Sequence, residues 1–340
     1  MKIQLLKLCV LFFAILLFAA QCNNTTPEAK EDATSFDKTF KMAAIFPGVI
    51  TDADYNTLGY IGLTSVQSDL GVETAYSESV AVPDVEQIIR KYIDDGFNII
   101  FTHGGQFLSQ TKALAEKFPN VYFIGESDTI MEDMPENLWV IGRNFHVSFY
   151  PLGALAAAQT KTGKIGYIGG LPLPFSYAEV HAIKQAIADA GADVELVPVW
   201  TGDFNDPTKA REVADILIAD DDVDVIIGSL NLGMFGLFEA VKASDKHVLA
   251  TAKYTDKSNF APNNYITSVL YDFSGPLTEI VQKIQTGEGG GYYPLGFDTG
   301  VAMQMPLKNA DDGVEATVKQ VISDVESGKA KVRKDVTPIE

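Results

Sequence analysis

The stretch that most constrains the fold is Ser148 to Gly170, SFYPLGALAAAQTKTGKIGYIGG, near the middle of the chain. Ala154 to Ala158 are strong helix formers. Thr162-Gly163-Lys164 stops them, with a glycine suited to a left-handed cap. Ile165 to Ile168 then form a short apolar run that Gly169-Gly170 ends. A helix, a turn and a buried strand follow one another here. One set of strand–helix repeats is complete before this stretch and a second begins after it, so it reads as the passage from one lobe to the next. Strands alternating with helices predict an α/β fold, each lobe a parallel sheet flanked by helices. The natural ligand site of such a chain is the cleft between lobes, at the carboxyl ends of the strands.

In the first lobe, Met42 to Phe46 reads as a strand and Thr57 to Leu70 as a helix burying Leu58, Ile61, Leu63 and Val66. Val72 to Ser79 is the next strand. Pro83 opens a helix with Val85, Ile88, Ile89 and Ile93 at helical spacing, and Gly96 closes it. Asn98 to Thr102 is a strand, a helix runs to Phe118, and Val121 to Ile124 and Leu138 to Ile141 are two more strands. In the second lobe, helices run from Tyr177 to Ala190 and from Met234 to Ala243. Asp206 and Pro207 have the chemistry of a helix N-cap and first helical position. Val194 to Trp200, Val223 to Ile227, Val248 to Ala252 and Tyr265 to Leu270 read as strands. After the helix Leu277 to Gln285, Gly289-Gly290-Gly291 reads as a flexible excursion, Gly296 to Met305 as a strand pair or returning crossover, and Val314 to Val325 as the last helix. The expected division is residues 40–147 with 272–300 for one lobe and 148–271 with 301–338 for the other, joined by three crossings that make a hinge.

The N-terminus is of another kind. Residues 1–21 carry Lys2 and Lys7 before an uncharged apolar run from Leu8 to Ala20, too short for a comfortable membrane span and suited to a secretory signal peptide. The chain has two cysteines, Cys9 inside that run and Cys22 just after Ala19-Ala20-Gln21, which resembles a bacterial lipobox. A lone cysteine at the cleavage point of an exported chain has no disulfide partner, which favours lipidation of Cys22. Residues 22–39 are then a lipidated, polar tether. Of 26 basic residues, Lys2 and Lys7 leave with the leader; the remaining 24 against 45 acids give a net charge of −21. That charge repels nucleic acid, and no basic cluster offsets it.

Loops after strands and before helices carry the site candidates, because helix N-termini present free amides there. The loop Asp52-Ala53-Asp54-Tyr55-Asn56 supplies two carboxylates, a phenol and an amide for hydroxyls or ring nitrogens; either acid would equally serve as a helix cap. Gly104 and Gly105 allow a ligand close to the backbone or simply form a turn. Tyr55, Phe107, Phe175, Trp200, Phe204, Phe235, Tyr254 and Tyr271 are candidate stacking residues, about half of them expected to be core instead.

The segments Ala154–Gly170 and Thr201–Lys209, with the run GDFNDPTK, resemble the basic membrane lipoprotein (PnrA-like) family. These are substrate-binding lipoproteins of ABC transporters, and its receptors bind purine nucleosides. Asp52 to Asn56 is similar to the family's D-x-S-F-N loop, Gly104 to Phe107 to its G-F-G-F loop, and Ala261-Pro262 with Ile266-Thr267-Ser268 to its A-P…L-T-S segment. The resemblance spans nearly all of residues 40–307. It implies a type I periplasmic-binding-protein fold, a ligand buried between two lobes, and an ABC permease as partner. Carried over, the ligand positions are Asp52, Asn56, Tyr55 in place of Phe, Phe107, Phe204, Asn205 and Gly233. Ser109 stands where the family has a base-reading Asp, Tyr254 where it has an Asp beside the retained Asp256, and Tyr271 where it has a Lys. The resulting cleft is less charged and more aromatic, which suits a flat heterocycle: a purine nucleoside first, a flavin-like or other aromatic vitamin as the alternative.

Enzyme signatures are absent. There is no G-x-x-x-x-G-K-[ST], H-E-x-x-H or G-x-S-x-G, and His103, His146, His181 and His247 are scattered. Neither a cofactor nor a metal is expected. A nucleoside-processing enzyme would have only Asp52 and Asp54 as an acid cluster, and a surface adhesin would need an exposed adhesive patch rather than a cleft.

Overall fold

The computed structural model describes residues 39–129 and 131–339. The expected leader, Cys22 and the tether as far as Lys38 lie outside the described residues. The first half of the fold is strand β1 (Lys41–Ile45), helix α1 (Tyr55–Leu70), β2 (Glu73–Ser77), α2 (Val85–Asp94), β3 (Ile99–Thr102), α3 (Leu108–Lys117), β4 (Tyr122–Ser127) and β5 (Leu138–Arg143). Helix α4 (Phe145–Gln159) leads to β6 (Lys164–Gly169), α5 (Pro174–Asp189), β7 (Glu195–Trp200), α6 (Pro207–Ala219), β8 (Val225–Ser229), α7 (Met234–Ala243), β9 (Leu249–Tyr254) and β10 (Tyr265–Tyr271). The chain closes with α8 (Ser274–Gln285), β11 (Gly291–Leu295), β12 (Val301–Met303) and α9 (Val314–Glu326).

Two six-stranded sheets result, in the orders β11-β5-β4-β3-β1-β2 and β12-β10-β9-β8-β6-β7. Every pairing is parallel except β10 with β12. Among the described residues the chain passes between sheets three times: through α4, between β10 and β11, and between β11 and β12. Alternation along β1 sends Met42 and Ala44 to the face packed by Leu63, Val66, Leu277 and Ile280, and Ala43 and Ile45 to the face packed by Val85, Ile89 and Leu114. Covered faces on both sides are what a parallel sheet requires.

Two expectations are corrected. Ile61 is 45% exposed. The packed face of α1 runs instead through Gly59, Gly62, Leu63 and Val66. A Cβ on Gly59 would lie 2.8 Å from the His103 ring, and one on Gly62 2.7 Å from Leu277 Cδ1. A count of apolar side chains misses a helix face built of glycines. The triple glycine is likewise no excursion: Gly291 opens β11, paired with Trp139 of β5. A Cβ on Gly289 or Gly290 would meet the Glu136 or Leu138 carbonyl oxygen at 2.3 or 2.4 Å. The glycines are there for close backbone approach, not for freedom.

Candidate functional site

The strand ends of both sheets face a cavity of about 410 Å3. Pro47 and Gly48 follow β1, Tyr55 and Asn56 open α1, Gln106 follows β3 and Arg143 ends β5. From the other sheet come Leu171 and Leu173 after β6, Phe175 at the start of α5, Phe204 and Asn205 after β7, Asn231 after β8, and Tyr254 at the end of β9. Among the described residues the walls are aromatic and aliphatic with four side-chain amides, and Arg143 is the one charged lining residue. Its volume is within the range of about 300–1,000 Å3 typical of small-molecule sites.

The first wall is set by hydrogen bonds that start at Asp52. Its buried carboxylate accepts the backbone N–H groups of Asp54, Asn56 and Thr57, so it satisfies the free amides at the start of α1. It also accepts from Asn56 Nδ2 at 2.7 Å, while Asn56 Oδ1 accepts from Gly48 N at 3.3 Å. Asp52 therefore supports Asn56 rather than lining the cavity. Tyr55 stacks on His103, ring centres 3.9 Å apart. His103 Nδ1 meets Glu126 Oε1 at 2.6 Å and Nε2 donates to the Tyr55 carbonyl at 2.8 Å. The Tyr55 hydroxyl donates to Glu126 and accepts from Arg143 Nη1, the latter at 3.1 Å. Burial alone would push Glu126 up, but His103 and the Arg143 guanidinium outweigh it and hold its carboxyl below the usual range. Burial likewise pulls Arg143 down, and Asp128, Tyr55 and Glu126 more than offset it, so it stays cationic.

The second wall is built around Phe204. Its carbonyl accepts from Asn231 N and Gly233 N, both at 3.0 Å. A Cβ on Gly170 would lie 2.2 Å from its ring, so the ring lies over bare backbone. Phe175 stacks on Phe204 at 6.0 Å. Below them Lys253 is fully buried, bonded to Glu179 Oε1 at 2.5 Å and 4.0 Å from the Phe145 ring centre. Burial holds the Lys253 ammonium below its ordinary value despite Glu179. Tyr254 adopts φ of 77°, a left-handed conformation rare for a tyrosine and common at ligand sites.

Of the residues singled out in the sequence, the structure brings Tyr55, Asn56, Phe175, Phe204, Asn205 and Tyr254 together around the cavity. It places the others elsewhere. Asp54 is buried against Lys257 and Thr255. Gly104 precedes a single turn, and Gly105 makes room for Arg143, since a Cβ there would lie 2.8 Å from Nη2. Phe107 is fully buried in the core of the first sheet. Ser109 and Asp256 are exposed and do not line the cavity. Trp200 donates to Ser176 Oγ at 3.2 Å and packs edge-on to Tyr167 and Tyr177. Gly233 supports the Phe204 carbonyl, and Tyr271 is buried with its hydroxyl 2.7 Å from Ser148 Oγ. Phe235 packs on Phe260. Sequence reasoning missed Arg143, Gln106 and Asn231 as lining residues, together with Pro47, Gly48, Leu171 and Leu173. For Arg143 the available signal was a cation at the very end of an apolar strand.

A family profile described as ABC transporter substrate-binding protein PnrA-like matches residues 39–334. The chain belongs to this family. The family is one of substrate-binding proteins of ABC transport systems, not of enzymes. Basic membrane protein A2 of Borrelia garinii is 29% identical over 272 residues, covering 77% of this chain and 78% of the relative. A protein of Brucella abortus described as purine-binding is 25% identical over 260 residues, 76% of this chain and 72% of its own length. A solved solute-binding protein of an ABC transporter system from Conexibacter woesei superposes with a TM-score of 0.70 at 22% identity, covering 87% of this chain and 99% of that one. The α/β architecture is that of the type I periplasmic binding proteins. Among the described residues no helix is long and apolar enough to cross a membrane, and no group of three or more His, Cys, Asp or Glu could hold a metal ion.

Proposed function

We propose that this chain is the lipid-anchored receptor of an ABC importer, tethered through Cys22, and that it captures a purine nucleoside or a similar flat heterocycle between its two lobes. Residues 40–147 with 272–300 form one lobe and residues 148–271 with 301–338 the other. The observation that carries this reading is the cavity wall: Tyr55 from one sheet, and Phe175, Phe204 and Tyr254 from the other, around amides suited to ring nitrogens and ribose hydroxyls. The purine-binding relative supports the same ligand class.

Mass spectrometry of the small molecule that co-purifies, and calorimetry against nucleosides, free bases and flavins, test the ligand. Phe204→Ala removes one stacking face, worth about 1–3 kcal/mol, and is expected to weaken binding roughly 5- to 150-fold while the protein stays folded. Unchanged affinity in both Phe204→Ala and Asn56→Ala removes the site, and a recovered peptide or bare metal ion removes the ligand class. Labelled palmitate entering the wild type but not Cys22→Ser tests the anchor; equal labelling rejects it.

A further inference from the structure

Among the described residues, Arg143 is the one charged side chain on the cavity wall, and no carboxylate lines it. Its fork is fixed on three sides. Nε and Nη2 donate to the two oxygens of Asp128 at 2.8 and 2.6 Å, and Nη1 donates to the Tyr55 hydroxyl at 3.1 Å. The Tyr55 hydroxyl is itself anchored by donating to Glu126. The guanidinium carbon lies 5.4 Å from the Phe175 ring centre and 5.9 Å from that of Tyr55. Only 7% of the side chain is exposed. This is a positioned group and not a surface arginine.

A guanidinium carries five N–H donors and no acceptor. Three are used within the protein, which leaves one on each terminal nitrogen. Asn56 of the same wall has its Nδ2 and Oδ1 engaged by Asp52 and Gly48. One free donor on each terminal nitrogen can meet two adjacent acceptors. A 6-oxopurine offers O6 and N7, both acceptors, whereas a 6-aminopurine offers the N7 acceptor beside an N–H donor that meets the guanidinium head-on. We infer that Arg143 is the specificity determinant of this cleft and selects 6-oxopurine nucleosides over 6-aminopurine nucleosides. This rests on the nucleoside reading above and sharpens it. Asp128, Tyr55 and Gly105 are positioning residues that aim the fork.

The test is calorimetry of the whole folded protein with inosine, guanosine, adenosine and 7-deazainosine. Inosine and guanosine are expected to bind on the order of 10- to 100-fold more tightly than adenosine, and 7-deazainosine, which lacks only the N7 acceptor, about 10-fold more weakly than inosine. Arg143→Lys keeps the charge and loses the fork; it is expected to flatten the inosine-to-adenosine ratio to within about 3-fold. If that variant fails to fold, the wild-type comparison of inosine with 7-deazainosine still decides. Adenosine binding as tightly as inosine, no loss with 7-deazainosine, or a ratio that survives in folded Arg143→Lys overturns this inference alone. Binding of no purine nucleoside overturns it together with the nucleoside reading.

Discussion

Replacing Lys257 by methionine should destabilise the protein strongly at neutral pH and far less in mild acid. Lys257 follows β9 of the second sheet, and its ammonium is paired with Asp54, at the start of α1 of the first. Both side chains are almost wholly buried. Lys257 Nζ also donates to Thr255 Oγ1 at 2.7 Å, and Thr255 Oγ1 to Asp54 Oδ1 at 3.0 Å. Burial dominates Asp54 and pushes its carboxyl from 3.8 up to about 6 even with Lys257 beside it. The sign follows from that rise. The unfolded chain ionises Asp54 near 3.8 and the folded chain near 6, so folding takes up a proton between those values. The stability gained from the neutral acid is complete below about pH 4 and is lost as pH climbs through about 6, a span of about 3 kcal/mol. Removing the cation leaves the buried carboxyl to protonate at pH 7.5, which from a folded value of about 6 costs about 2 kcal/mol. At pH 5 the acid is already mostly protonated and needs no cation, so the loss should fall below about 0.5 kcal/mol. Urea unfolding followed by circular dichroism at the two pH values measures both figures, and Asp54→Asn with Lys257→Met should recover most of the stability at pH 7.5. A loss below about 1 kcal/mol at pH 7.5, or an equal loss at both, would refute the reasoning.

Three further outcomes are expected. Glu179→Gln leaves Lys253 without its carboxylate partner in a closed aromatic setting; urea unfolding should show a loss of about 3–5 kcal/mol, and Glu179→Gln with Lys253→Met should restore much of it. Gly236→Ala puts a Cβ 1.8 Å from the Pro207 carbonyl oxygen, forcing α6 and α7 apart; thermal denaturation should show a destabilisation of about 1–3 kcal/mol, and no change would mean the helices are free to shift. Gly105→Ala crowds Arg143 Nη2, with Asp128 Oδ2 the next group met; calorimetry should report weaker ligand binding with a smaller effect on the melting temperature.

Much of the scaffold was legible because it depends on local chemistry. Helix α7 runs from Met234 to Ala243 as read, and Asp206 does cap α6, accepting from the Thr208 and Lys209 amides with Pro207 at the first position. What local chemistry omits is which way a side chain turns once the chain is packed. Phe107 and Tyr271 sit in or beside the right loops, yet both rings turn into the core. An aromatic next to a strand end is drawn to whichever apolar surface is nearest. Arg143 was passed over for the converse reason: it ends the apolar run Leu138–Arg143, and its acid partner Asp128 comes from a different loop. Asp52 has the chemistry of either a ligand or a cap, and five bonds to the start of α1 show it bound to the protein itself.

The seating of Phe204 over Gly170, with its carbonyl pinned by two amides, bears on how a guest would be admitted. A side chain already stripped of rotamer freedom gives up little more when something docks on it, so capture at low concentration loses less entropy to ordering the receptor. The same rigidity makes the wall unforgiving. A molecule with a bulky group over that ring finds nothing that yields, and it is turned away by shape before any polar contact is read.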